Sequence, residues 1–514
     1  MHSRLWLLLS LMAVAAVMQH SSALSPQRKP APPAPLVRFG FENVQRMAQQ
    51  RADEAYRDYS NKLPDSIAKL SYDDYRTIQF KPENALWRNQ AMFEVQFFHR
   101  GSNYDRRVNI TEVGEDGVLR PVSYSASQFD YGKVTAPKDS PPDLGFGGLR
   151  VHYPLQRPDY KDELIAFLGA SYFRVLGRDA NYGASARGLA INIASTAGEE
   201  FTYFTDFWLV RPAPEQRTLT IYALLDCPSL AGAYRFEIIP GATTTVEVTA
   251  TLYPRKLVDK LGLASMTSMF LYGKDRPRQY DDFRPEVHDS DGLKMQTGAG
   301  EWLWRPLLNP KTLRISNFSD EHPRGFGLTQ RERDFSHYQD EDAHYQQRPS
   351  YWVAPLGDWG KGTVELVEIP TDEAIHDNIV AFWAPALQLQ PHKPFSFSYL
   401  LSSYLQSPAW PPGGRAVATR SAPARGRDNS RRILIDFAGA DLDTLDANQP
   451  VKAALSAHNS DIDNVNVQRL AENGMWRVSF RLQPKNNQAA DLRCYLTLYG
   501  EALTESWMYL WTPP

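Results

Sequence analysis

Apolar residues at every second position recur along this chain in runs of five to ten residues, and that period excludes most folds. In MFEVQFFHR, Phe93, Val95 and Phe97 share one face. In TTTVEVTATLY (243–253), Val246, Val248, Ala250 and Leu252 do the same. Side chains alternate across a strand, so such runs each bury one face of a sheet. LTIYALL (219–225) and the run through Val108, Ile110 and Val113 extend the pattern, and each ends in Gly, Pro or Asp. Many short antiparallel strands with few helices predict an all-β chain built as a sandwich or barrel, not as alternating βαβ units. The stretch VELVEIPTDEAIHDNIVAFW (364–383) reads as two strands joined by a polar loop that carries Asp372, Glu373, His376 and Asp377. A second acidic loop, RPEVHDSDG, lies upstream at 284–292. Carboxylates on loops held by rigid strands are where binding and catalytic groups tend to sit, although most loop acids are simply solvated.

At 514 residues the chain exceeds a single core. Helical spacing of Val44, Met47, Ala48, Ala52, Ala55 and Tyr56 predicts an amphipathic helix over 41–59, and a short one surrounds 72–78. Between Gln406 and Ser430, Pro, Gly, Ala, Ser and Arg crowd together and periodicity vanishes, which predicts a linker or long surface loop. Beyond it ILIDF, MWRVSFRL and LRCYLTLYG alternate again, enough for one small immunoglobulin-like sandwich over 431–514. At the other end, a basic start, the apolar run LWLLLSLMAVAAVM and Ser21-Ser22-Ala23 predict a signal peptide over 1–23, followed by a Pro-rich leader over 24–37. No later segment reaches the length of a membrane span. A net charge of −3 argues against nucleic acid or an anionic membrane as partner. Cys227 and Cys494 fall in different predicted domains and read as two buried thiols.

The pairs His288-Asp289 and His376-Asp377 raise the question of a metal. Adjacent residues on an extended strand face opposite ways, and DSDG lacks the later ligands of a calcium loop, so no metal and no cofactor is expected. The alternative chemistry is glycoside hydrolysis, which needs one carboxylic acid to protonate the leaving oxygen and a second carboxylate to activate water. Aromatic residues reach 12% of the chain, with 12 Trp and 25 Tyr. Trp302 and Trp304 share a strand face with Arg305 on the other, and Trp352 and Trp359 bracket YWVAPLGDWGKG. Such rings lie flat against sugars and equally fill sandwich cores; arginines beside them, Arg305 or Arg187, suit sugar hydroxyls.

Taken together, LGASYFRV (168–175), YGASARGLAI (182–191), GEEF (198–201), TSMFLYG (267–273), RPEVHDSDGL (284–293), GEWLWRPL (300–307), WGKGTVELVEIP (359–370) and HDNIVAFW (376–383) closely resemble the periplasmic glucan biosynthesis family OpgG/OpgD, also called MdoG/MdoD. The resemblance runs from about residue 40 to the C-terminus. Without a twin-arginine leader, it is closest to the G type. It implies a large N-terminal β-sandwich like galactose mutarotase (38–405), a linker region (406–430) and the smaller immunoglobulin-like sandwich. It also implies a periplasmic role in making glucans with a β-1,2-linked backbone, with the inner-membrane glucan synthase as a candidate partner. Members similar to the D type are inverting endo-β-1,2-glucanases. Carried over, their general acid falls on Asp377, the water-activating base on Asp289 and a proton-route tyrosine on Tyr345. Tyr182, Arg187, Trp302, Trp304, Arg305, Trp352 and Trp359 are then expected to contact glucan. The other reading is a non-catalytic glucan-binding or scaffolding factor that assists the synthase in backbone branching.

Overall fold

A computed structural model describes residues 39–513 apart from 59–62, 136–140, 197, 275–280, 408–410, 412, 426–428, 440 and 487. The predicted signal peptide and leader therefore lie outside the described residues. The chain is all-β, as its alternation predicts, and strand after strand falls where the period of two places it. The run at 243–253 is the strand Thr244–Pro254, whose burial alternates along its length. The run at 219–225 is the strand Leu219–Asp226.

Two large sheets supply most of the structure. One has ten strands and runs from Glu94–His99 at one edge, through Leu261–Ser268 and Ile379–Pro385, to Arg314–Glu321 at the other. The other has fifteen strands, and from Gly292–Gln296 the order runs through Gly325–Thr329, Ser350–Leu356, Phe395–Tyr404, Thr244–Pro254 and Leu230–Ile239 to Leu219–Asp226. Their inner faces meet in one apolar core. There Phe167 of the first sheet meets Phe236 of the second edge to face, with centroids 5.1 Å apart. A helix, Phe41–Asp53, lays Val44, Ala48 and Ala52 on the outer face of the second sheet against Trp208, Leu224 and Ala233. The helix stops six residues short of the predicted end. Arg255 accounts for this, since its guanidinium donates to the Arg51 carbonyl at 2.5 Å and the Glu54 carbonyl at 3.1 Å and so satisfies the last turn.

The segment expected to be a linker is partly a strand. Arg415–Pro423 pairs antiparallel with Arg431–Ala438, with a bulge between Ala416 and Ala418. Only two small residues, Ala416 and Thr419 on either side of the bulge, are buried there, so no large apolar side chain marks the strand in the sequence. It opens a four-stranded sheet completed by Trp476–Pro484 and Ser460–Arg469. That sheet packs Ile433, Ile435 and Phe437 against Leu492, Leu496 and Trp507, and Trp507 Nε1 donates to Thr419 Oγ1 across the gap at 2.9 Å. Trp507 belongs to the fifteen-stranded sheet. Its strand, Ser506–Trp511, runs parallel to Trp302–Pro306, with Leu303 opposite Ser506 and Trp304 opposite Trp507. One sheet thus serves both sandwiches. Cys227 and Cys494 are both free and buried, in separate cores.

Candidate functional site: a cleft closed by two acidic loops

The 364–383 stretch folds as read. Lys361–Glu368 and Ile379–Pro385 are antiparallel, with Val364 opposite Trp383, and Asp377 stands on the loop between them. The upstream acidic loop is brought to it by a short stretch of backbone, Met269–Tyr272. Asn378 clamps that stretch from one side: its side chain accepts from Phe270 N–H at 2.8 Å and donates to the Phe270 carbonyl at 3.0 Å. From the other side Phe270 pairs with His288, and Asp289 N–H donates to the Met269 carbonyl at 2.8 Å. Ser268 Oγ bonds Ser290 Oγ at 2.8 Å. Asp377 and Asp289, 88 positions apart in sequence (377 minus 289), are therefore hung on the same five residues, 268–272.

The two carboxylates have different surroundings. Asp377 is exposed and lines a cleft of about 620 Å³, with Tyr104, Arg150, Glu163, Arg174 and Tyr182 among its walls. Although its surface meets water, protein surrounds it across the cleft, and that desolvation raises its pKa; Arg174, a hydrogen bond from Thr267 Oγ1 at 3.4 Å and Arg348 hold the rise back. Asp289 is buried, 3% exposed, with Arg348 Nη1 hydrogen-bonded to its Oδ1. Burial raises its pKa as well; Arg348 opposes this and the charge of Asp377 adds to it, so Asp289 lies within the field of Asp377. The Arg348 guanidinium also lies 4.0 Å from the centroid of the Tyr345 ring. Tyr345 is buried, its pKa raised by desolvation, and its hydroxyl meets Arg284 Nη1 at 3.5 Å. The structure thus gathers Asp289, Tyr345 and Arg348 into one cluster whose field includes Asp377.

The other expected contacts divide. Tyr182 is 40% exposed in the cleft wall, with the Arg174 guanidinium 5.7 Å from its ring centroid. Arg187 lies behind the wall, buried, paired to Glu199 at 2.5 Å and covered by Tyr172 and Phe201, both of which do line the cleft. Trp302 and Trp352 stack on each other with centroids 5.7 Å apart, over the ammonium of Lys294, away from the cleft. Trp304 is buried under Arg331, whose guanidinium sits 3.5 Å from its ring centroid. Glycines make room for these rings: a Cβ at Gly292 would meet Trp304 at 2.0 Å, and one at Gly325 would meet Trp352 at 2.3 Å. Arg305 is 3% exposed and pairs with the fully buried Glu368 at 3.4 Å, a contact between strands. Trp359 is likewise a core residue, its Nε1 donating to the Ser398 carbonyl at 3.1 Å.

Three residues of the site carried no expectation: Arg174, Arg348 and Glu163. Arg174 Nε donates to Ser185 Oγ at 2.8 Å, and Glu163, its pKa raised by burial, pairs with Arg150 at 3.4 Å. Arg174 lay within a stretch already singled out, LGASYFRV, and Arg348 follows Tyr345 by three residues. Among the described residues no group of three or more His, Cys, Asp or Glu side chains is placed to hold a metal ion. His288 turns away from Asp289 to bond Gln330 Oε1 and Glu286 Oε2, each at 3.0 Å.

A family model described as "Periplasmic glucan biosynthesis protein, MdoG" matches residues 39–511. The chain belongs to this family. It is 47% identical to Glucans biosynthesis protein G of Rhodopseudomonas palustris over 91% of its own length and 93% of that protein. It is 45% identical to Glucans biosynthesis protein G of Ralstonia nicotianae, over 92% and 96% respectively. To the Probable glucans biosynthesis protein D of Shewanella oneidensis it is 43% identical, over 99% and 93%. A role in periplasmic glucan biosynthesis follows from the family, and no helix among the described residues is long and apolar enough to cross a membrane.

Proposed function

We propose that this protein acts in the periplasm, where it binds β-1,2-glucan in the 620 Å³ cleft and cleaves it by an inverting two-carboxylate mechanism. The observation that carries the reading is the pairing of an exposed, pKa-raised Asp377 on the cleft wall with a buried Asp289 inside its field. A carboxyl whose pKa is raised stays protonated closer to neutrality, as a general acid must. In this reading Asp377 gives its proton to the glycosidic oxygen as the bond to the anomeric carbon breaks. Water attacks that carbon from the opposite face and passes its proton through the Tyr345 hydroxyl to Asp289. The raised pKa of Tyr345 keeps the hydroxyl neutral, able to accept one proton while giving up another. Arg348 favours the ionised form of Asp289 against its burial. Proton exchange with solvent resets both acids. Tyr182 and the Arg174 guanidinium present a ring face and donors to sugar hydroxyls. Residues 38–405 carry the cleft, and the smaller sandwich takes in the strand Arg415–Pro423 together with 431–514; the inner-membrane glucan synthase is the expected partner.

One observation favours the second reading, a glucan-binding or scaffolding factor without turnover: Asp289 is buried and already engaged by Arg348. Incubating the purified protein with linear β-1,2-glucan separates the two. Shorter oligosaccharides of inverted anomeric configuration support hydrolysis. Saturable binding with no shortening leaves the scaffolding role, and no binding at all overturns both.

A further inference from the structure

His288 is wholly buried, stacked on the Phe270 ring at 5.5 Å between centroids and met edge on by Tyr338 at 5.3 Å. Each ring nitrogen has one partner at 3.0 Å, Gln330 Oε1 at Nδ1 and Glu286 Oε2 at Nε2. What lies beyond those partners decides where the protons are. Gln330 Nε2 donates to the Tyr345 carbonyl, which can only accept, so the amide oxygen is the end turned to His288 and Nδ1 carries a proton. Glu286 takes a second histidine on its other oxygen, His337 Nδ1 at 2.7 Å. A carboxylate also only accepts, so Nε2 is protonated too and His288 is an imidazolium. Glu286 and Asp291 face the ring from its own loop, and Lys274, Arg331 and Glu332 share with it the wall of a cavity of about 220 Å³. Burial works to lower the His288 pKa, but the bond and charge of Glu286, with Asp291 and Gln330, outweigh it and raise the value. Burial works to raise the Glu286 pKa, and His288, His337 and Lys274 outweigh that and bring it down to about 2.

The Tyr345 carbonyl at the end of this chain of bonds is a pivot of the site. It also accepts the Arg348 N–H at 3.1 Å, closing the short turn Tyr345–Gln347, and the Arg348 side chain then reaches Asp289. His344 enters that turn at φ 45° and ψ 48°, a left-handed conformation that costs any residue with a Cβ and persists only where its surroundings hold it. One imidazole is thus tied to both halves of the proton route, to Asp289 as its neighbour in the chain and to Tyr345 through Gln330. On the hydrolytic reading of the site, we propose that His288 is a positioning residue, its Nδ1–H latching Gln330 in the one orientation that holds the turn carrying Tyr345 and Arg348 beside Asp289. Without the Nδ1 proton, Gln330 would turn its NH₂ to the ring and its oxygen to the Tyr345 carbonyl. Two acceptors would then face each other, and the turn would lose its hold.

The test is Gln330→Glu in the full-length protein, assayed on linear β-1,2-glucan. The substitution is nearly isosteric and keeps an acceptor for His288 Nδ1, but it turns a carboxylate oxygen on the Tyr345 carbonyl. At pH 7 kcat should fall about tenfold, with KM within about twofold, because the cleft walls that hold the sugar are unchanged. Acid should rescue it. Burial raises the pKa of such a carboxyl, and once protonated its O–H donates to the Tyr345 carbonyl, so the ratio of variant to wild-type kcat should climb between pH 7 and about 5. Lost packing would not reverse in that way. Nitrogen NMR of the wild type gives a second reading that survives a variant that fails to fold: both ring nitrogens of His288 should carry protons at pH 7, and a bare Nδ1 overturns the latch. No cleavage by the wild type overturns the hydrolytic reading and this role with it. Cleavage by the wild type, with Gln330→Glu equally fast or slowed by the same factor at every pH, overturns the role of His288 alone.

Discussion

The cleft around Asp377 and the tryptophan cluster around Lys294 are made from the same parts, cations set over aromatic rings, and they meet opposite fates. In the cleft, Arg174 lies by Tyr182, whose ring is 40% exposed. In the cluster, Lys294 lies beside the stacked Trp302 and Trp352 and is 1% exposed. Open to water, the guanidinium can turn its donors to a ligand. Closed off, the ammonium is driven towards neutrality, to a pKa of about 7. Of the four tryptophans expected at the glucan, Trp304 and Trp359 are buried, and Trp302 and Trp352 are half-buried and stacked on each other beside Lys294.

The largest effect belongs to the open region. Asp377→Asn and Asp289→Asn should each lower glucan cleavage by about 10²–10⁴-fold. Asp377→Asn should bind glucan as before, since the amide fills the same space. Wild-type cleavage rates in Asp377→Asn would break the assignment of the acid, and a large drop in melting temperature would make the residue structural instead. Treatment with a chelator should leave turnover intact.

For the closed region the sign reverses, because there the charge is a burden. Lys294 has a folded pKa below its unfolded value of about 10.5, so the unfolded state holds the extra proton between about 7 and 10.5. Stability should therefore rise with pH across that window. Lys294→Met should flatten the rise and stabilise the protein at pH 6 by a few kcal/mol, on the order of 1.4 kcal/mol for each unit of the pKa shift. Urea midpoints at pH 6 and pH 9 measure both. Equal midpoint differences in wild type and variant would show that Lys294 carries no such penalty.

A smaller effect sharpens the contrast between the two acids. Arg348 lowers the pKa of Asp289, so Arg348→Met should raise it further and move the acid limb of the pH–rate profile to higher pH, by about tenfold in rate on that limb. The alkaline limb, set by Asp377, should move less. The smallest effect compares single rings. Tyr182→Ala should weaken glucan binding about fivefold, roughly 1 kcal/mol. Trp359→Phe should leave affinity unchanged, because that ring faces the core.

The strands were legible because a period of two survives in any half-buried strand, as in Thr244–Pro254. Arg415–Pro423 was not, because its inward residues are small and a bulge breaks the alternation. Within the site, the positions of Asp289, Asp377 and Tyr345 came from a resemblance, and no spacing in the chain selects them. What neither route supplied was pairing at a distance. Arg348 finds Asp289 across 59 residues, and Arg305 finds Glu368 across 63. Two arginines beside aromatic residues look alike in sequence, yet one stands at the site and the other ties two strands together.

The parallel junction of Trp302–Pro306 with Ser506–Trp511 sets a schedule for folding. Ser506 Oγ meets Glu301 at 2.5 Å across a separation of 205 residues, so a strand in the middle of the chain waits for one of the last to be synthesised. Until that segment arrives, the fifteen-stranded sheet has an open edge beside Trp304, able to pair with another chain. The price of joining two sandwiches through one sheet is a late and slow final step. A chain leaving a ribosome or a translocation pore would need to be kept from its neighbours until its end was free.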